Sequence, residues 1–78
     1  MAFMFEVYYK PPTNPAKESA LTKRVAALGG RLDFREEAGE HVGVCLTYEF
    51  DDRESATRAA DALRQLGEHV EGPADYGP

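Results

Sequence analysis

The chain holds a single cysteine, Cys45, in 78 residues. No intramolecular disulfide can form, and one thiol cannot build a cysteine-rich zinc site. Positive charge is also scarce: nine lysines and arginines stand against fourteen aspartates and glutamates, a formal charge of −5. Phosphate backbones attract basic surfaces, so a nucleic-acid reader of this balance needs a localised basic stripe. Lys17, Lys23 and Arg24 come nearest to one, on a segment that reads as a solvated helix. No nucleic-acid partner is expected. Nowhere does the sequence hold a run of about 18 apolar residues, the length a spanning helix needs. The apolar start, Met1 to Tyr9, alternates and carries Glu6, with neither a basic beginning nor a cleavage site. It reads as a strand and not as a signal peptide. The expected location is cytoplasmic, with no membrane partner.

What is present is regular alternation broken at well-placed prolines and glycines. Phe3, Phe5, Val7 and Tyr9 fall on one side of the first run, with Met4, Glu6, Tyr8 and Lys10 on the other. This is the period of a half-buried strand, rich in the aromatic and β-branched residues that strands favour. Pro11 and Pro12 end it, because proline cannot donate to a ladder. Thr13 and Asn14 offer side-chain oxygens to the free amides of a helix start, and Pro15 suits the first helical position. A helix is predicted from Pro15 to Leu28, burying Leu21, Val25 and Leu28 with help from Ala20 and Ala27. Arg31 to Glu37 alternates again, placing Leu32 and Phe34 on one face and Arg31, Asp33 and Arg35 on the other. Residues 38–41 read as a hairpin connection. The third strand, Val42 to Phe50, points Val42, Val44, Leu46, Tyr48 and Phe50 one way, and Gly43, Cys45, Thr47 and Glu49 the other. Asp51 or Asp52 caps a second helix, with Asp51 and Glu54 at capping-box spacing. Its inner face is Ala56, Ala59, Ala60, Leu63 and Leu66.

The phrase Leu28-Gly29-Gly30 has its counterpart in Leu66-Gly67. Each reads as a last core leucine followed by a glycine that ends the helix. His69 to Glu71 then forms a short final strand with Val70 inward. Residues 73–78, rich in glycine and proline, form a tail that Tyr76 docks. The domain therefore spans residues 1–72. A single domain of this length buries only roughly 60–65% of its unfolded surface, and association with a copy of itself is a common remedy.

Strand, helix, strand, strand, helix, strand, joined by right-handed crossovers, gives a four-stranded antiparallel sheet with both helices on one face. The pattern resembles the ferredoxin-like α+β fold over residues 3–71, with the first and third strands central. That fold hosts many unrelated functions. It leaves an open sheet face bearing Met4, Glu6, Tyr8, Arg31, Asp33, Arg35, Cys45, Thr47, Glu49, His69 and Glu71. The helices cover the other face, with Phe5, Val7, Phe34, Val44, Leu46 and Val70.

Several chemistries fail on this layout. An RNA-binding sheet stacks bases on aromatic residues of both central strands, but the open positions of the third strand are Cys45, Thr47 and Glu49. The loop Lys10-Pro11-Pro12-Thr13-Asn14-Pro15 carries no Cys-x-x-Cys for a metal. It also lacks the glycine and arginine with which acylphosphatases hold phosphate, and its prolines remove amide donors. His41 and His69 sit on separate elements without ligand spacing, so no metal site is assigned. Cys45 lacks a base: the first strand separates it from His69 by roughly 9–10 Å of sheet width. Glu6, Thr47 and Glu49 are expected to raise its pKa. No catalytic residue and no cofactor are assigned.

The candidate interaction surface is the centre of the open face: Met4, Glu6, Tyr8, Cys45, Thr47 and Glu49. The expected function is that of a non-catalytic module that forms a homodimer and binds a protein partner or small ligand. In size and fold it resembles ACT-type regulatory modules, which bind amino acids at subunit interfaces near a glycine-bearing loop after the first strand. Residues 10–15 contain no glycine. Two alternatives stand beside this. One is a small dimeric cofactor-free enzyme similar to α+β-barrel isomerases and monooxygenases, with Tyr9, Tyr48 and Phe50 at the mouth of its site. The other is an acidic regulator that docks on another enzyme.

Overall fold

The structure, a computed structural model, describes residues 2–37 and 43–76. Strand β1 (Ala2–Tyr9) leads through the proline loop into helix α1 (Pro15–Ala27). Strands β2 (Arg31–Glu37) and β3 (Val44–Phe50) precede helix α2 (Arg53–Gln65), and β4 (His69–Tyr76) completes the sheet. The sheet is antiparallel in the order β2-β3-β1-β4. This is the ferredoxin-like two-layer sandwich, with β1 and β3 central. The connection at 38–41 and the start of β3 at Val42 lie outside the described residues.

Both helices begin at side-chain caps. Asn14 accepts the Lys17 amide at 3.0 Å, and Pro15 occupies the first turn, where a missing N–H costs nothing. Asp52, rather than Asp51, caps α2, accepting the Ser55 amide at 2.8 Å. Asp51 instead accepts from Arg31, and Glu54 pairs with Arg58 one turn on. The capping box anticipated for Asp51 and Glu54 therefore does not form. Both helices end at glycine in the left-handed region, Gly29 and Gly67.

One layer of side chains forms the core. Phe5 and Val7 of β1 meet Val44, Leu46, Tyr48 and Phe50 of β3 under Leu21 and Val25 of α1 and Ala56, Ala59, Ala60 and Leu63 of α2. The α2 alanines let that helix lie close to the sheet. The Phe5 ring packs on Phe50 at 5.5 Å and on Tyr48 at 5.8 Å between centroids. Ala20, Ala27 and Leu66 were expected to help but face solvent, Leu66 with 54% of its surface exposed. Leu66 is the cap residue of α2.

Two irregularities change the faces. Leu32 pairs with Tyr48, but Phe34 pairs with Thr47, so Asp33 is an extra residue in β2. From that bulge onward every side chain changes sides. Phe34 lies on the open face with 57% of its surface exposed, not against the helices as its alternation predicts. Arg35 is turned the other way, toward α1. The second irregularity lies opposite Phe5, where β4 gains a residue between Glu71 and Ala74. Gly72 takes φ +105° there, and a Cβ on it would sit 3.1 Å from the Met4 carbonyl oxygen. Pro73 does not stop the strand as expected, because it stands at a bulge on an edge, where no ladder donor is required. Arg64 of α2 steadies this stretch by donating to the carbonyls of Val70 and Gly72. β4 accordingly continues past Glu71 to Tyr76. The Tyr76 side chain, expected to dock the tail, lies outside what is described.

Candidate functional site

Register arranges the open face in three rows across the sheet. The first runs Arg31, Glu49, Met4, Ala74; the second Phe34, Thr47, Glu6, Glu71; the third Glu36, Cys45, Tyr8, His69. The six residues anticipated at its centre, Met4, Glu6, Tyr8, Cys45, Thr47 and Glu49, come together as neighbouring positions of β1 and β3. Phe34 and Glu36 join them from β2 in place of Asp33 and Arg35. A perfect alternation from Arg31 to Arg35 hides the exchange. The one local hint is Asp33 itself, a residue type that strands disfavour.

Charges on this face are partly neutralised. Arg31 reaches Glu49 at 2.7 Å and Asp51 at 3.1 Å, and the His69 ring lies 3.2 Å from Glu71. Glu6 and Glu36 have no cationic partner among the described residues. Glu6 instead accepts from the Cys45 thiol, with Sγ and Oε2 3.7 Å apart. Tyr8 stands between Cys45 and His69 in its row, its ring edge-on to the imidazole at 5.7 Å. Burial, the Cys45 thiol and the Glu6 carboxylate push the Tyr8 hydroxyl up to about 12. Burial pushes the Cys45 thiol up as well; Tyr8 draws it back in part, and Glu6 adds to the rise. The polar Thr47 hydroxyl lowers it, against the sequence expectation. A raised pKa leaves little thiolate at neutral pH, which is the opposite of what a nucleophile requires.

The side of the sheet under the helices carries a second polar group. The Tyr9 hydroxyl accepts the Asn14 amide at 3.0 Å and donates to Glu18. Glu18 in turn receives both Nε and Nη2 of Arg35. The Arg35 guanidinium holds the Glu18 carboxyl below the usual carboxylate range, and the Tyr9 hydroxyl assists against the opposing effect of burial. Tyr48 and Phe50 lie fully within the core. They do not open a mouth between sheet and helices, the place where the enzyme alternative set its site.

At the end of β1 the loop, α1 and the α2–β4 turn enclose an open cleft of about 360 Å³, lined by Tyr8, Tyr9, Lys10, Lys17, Gly67, Glu68 and His69. Alternation and capping carry no signal for it, because it assembles from three separated segments. Among the described residues, no three acidic, histidine or cysteine side chains gather as a metal would require, and no helix is long and apolar enough to cross a membrane. Comparison with protein-family models, curated proteins and solved structures found no match.

Proposed function

We propose that the chain is a non-catalytic module that pairs with a second copy of itself through the open sheet face, presenting the pair to a protein partner or small ligand. The observation that carries this reading is Phe34: a bulge holds a large ring out on the sheet face, 57% exposed, on the same face as Tyr8, itself 39% exposed, one row and two strands away. Met4 and Cys45, on the two central strands of the same face, are half-covered. Burial of aromatic and sulfur-bearing side chains at the centre, with charges around them, is how stable interfaces are built.

Charge selects the arrangement of the two copies. Consider a twofold axis along the strands, between β1 and β3. It lays each row over the same row of the second copy in reverse order. Glu36 then faces His69, Phe34 faces Glu71, Thr47 faces Glu6, Cys45 faces Tyr8, Glu49 faces Met4, and Arg31 faces Ala74. No carboxylate meets a carboxylate. An axis across the strands would instead set Glu6 on Glu6 and Glu71 on Glu71, which like-charge repulsion disfavours. The edges argue against pairing by ladder extension: β2 carries charge along its length, and β4 bears Gly72 and Pro73. The reading assigns the module to the cytoplasm, a reducing compartment in which a lone thiol such as Cys45 stays free. In size and fold it resembles the ACT-type modules in which paired domains hold ligands.

Light scattering over a concentration series tests the proposal. The expected result is a dimer that dissociates on dilution and that Phe34→Glu and Tyr8→Glu each convert to a folded monomer. A monomer at every concentration, or a dimer indifferent to both substitutions, overturns it.

A further inference from the structure

We infer that the cleft at the end of β1 is a binding site for a small aromatic carboxylate. The site is complete within one chain and does not rest on the pairing of two. Its volume of about 360 Å³ lies at the lower end of the roughly 300–1,000 Å³ of small-molecule sites.

Its chemistry narrows the class of ligand. Lys10 and Lys17 stand against one carboxylate, Glu68, in a chain whose overall charge is −5. The cleft is therefore a place where cations outnumber acids, and it repels a cationic ligand. Lys17 is partly committed: its Nζ lies 3.0 Å from Glu68 and 5.3 Å from the centroid of the Tyr9 ring. Lys10 has no ion-pair partner among the described residues and is exposed at the rim. Among the described residues, then, one ammonium has no acidic partner, and a second is already placed over a ring.

A backbone phosphate cradle is built of free amide donors, and this cleft offers none in its turn. The Gly67 amide donates to the Arg64 carbonyl at 2.9 Å and the Glu68 amide to the Leu63 carbonyl at 3.1 Å. Pro11 and Pro12 have no N–H to offer. What remains is one side-chain cation for a single negative charge, with Tyr8 on the open-face side of β1 and Tyr9 on the helix side both lining the cleft. The Tyr8 ring is itself held by the edge-on imidazole of His69. A flat apolar body against one of these rings, with its carboxylate at Lys10, uses the two interactions on offer, an aromatic contact and a charge-assisted hydrogen bond.

Amide chemical shifts of the ¹⁵N-labelled chain, titrated with benzoate and separately with benzamide, test the inference. Benzoate is expected to give saturating shifts at Tyr9, Lys10, Gly67 and Glu68. Benzamide, its neutral counterpart, should move them little. Lys10→Gln should weaken benzoate binding about five- to tenfold, while Lys23→Gln, on the outer surface of α1, leaves it unchanged. Shifts that never saturate, equal responses to the two probes, or equal effects of the two lysine substitutions would each overturn it. Running the titration on the Phe34→Glu chain separates this outcome from that of the dimer.

Discussion

Arg35 grips Glu18 from the edge of the sheet, its Nε 2.6 Å from Oε1 and its Nη2 3.1 Å from Oε2. The pair joins β2 to α1, and it exists because the Asp33 bulge turns Arg35 under the helices. Since the folded carboxyl titrates below its ordinary value, its contribution is fully present above the unfolded pKa, near 4.3. It is lost as pH falls through the lower, folded value. Glu18→Gln should therefore lower the urea midpoint at pH 7, and the gap between variant and wild type should close as the solution is acidified below pH 4 or so. A gap that stays constant down to acid pH would show that the charge of Glu18 contributes nothing.

Thr22 and Tyr48 share a hydrogen bond of 2.9 Å between α1 and the centre of the sheet. Tyr48 is fully buried, so its hydroxyl has no water to fall back on. Thr22→Val should destabilise the fold by about 1–3 kcal/mol, the cost of a buried polar group left without a partner. Adding Tyr48→Phe removes the orphaned hydroxyl and should recover most of that loss, a coupling that a double-mutant cycle in urea measures directly. Additive losses would show that the bond does not stabilise the fold.

Gly29 and Gly30 do different work, though they stand side by side. Gly29 ends α1 at φ +96° with open space around it, whereas a Cβ on Gly30 would sit 2.6 Å from both Phe50 Cε2 and Val25 Cγ1. Gly30→Ala should cost about 1–3 kcal/mol through overpacking, and Gly29→Ala about 1 kcal/mol through backbone strain alone. Thermal unfolding of the two variants compares them. The packing account fails if Gly30→Ala unfolds with the wild type.

Cys45 titrates high, so at pH 8 it should react with iodoacetamide more slowly than a free thiol does. Plotted against pH, the rate should rise with a midpoint above the ordinary cysteine value. Glu6→Gln removes a carboxylate 3.7 Å from the sulfur and should move that midpoint down. Using the Phe34→Glu chain keeps any association from shielding the thiol. A midpoint at or below that of a free thiol would mean that Cys45 is activated.

The fold was legible in the chain because its signals are local. Alternation in β1 and β3, Pro15 behind Asn14, and the two Leu-Gly helix ends each declare themselves within a few residues. The candidate surface was legible only for β1 and β3, whose ladder is unbroken from Phe3 to Tyr9. On β2 the alternation is just as regular, yet it misassigns Phe34 and Arg35, since a bulge is a property of the pair of strands. The end of β4 was misjudged for a related reason: Gly72 and Pro73 look like a stop until the carbonyls they leave are seen to be held by Arg64.

Sequence alone determined the order of elements, the glycines that end both helices and the inner faces of the central strands, because these depend on spacing along the chain. Tertiary structure alone decided which face Phe34 takes, that Arg35 meets Glu18, and that Lys10, Lys17 and Glu68 line one cleft. Those outcomes depend on register and on the approach of segments far apart in sequence, and no local period encodes them.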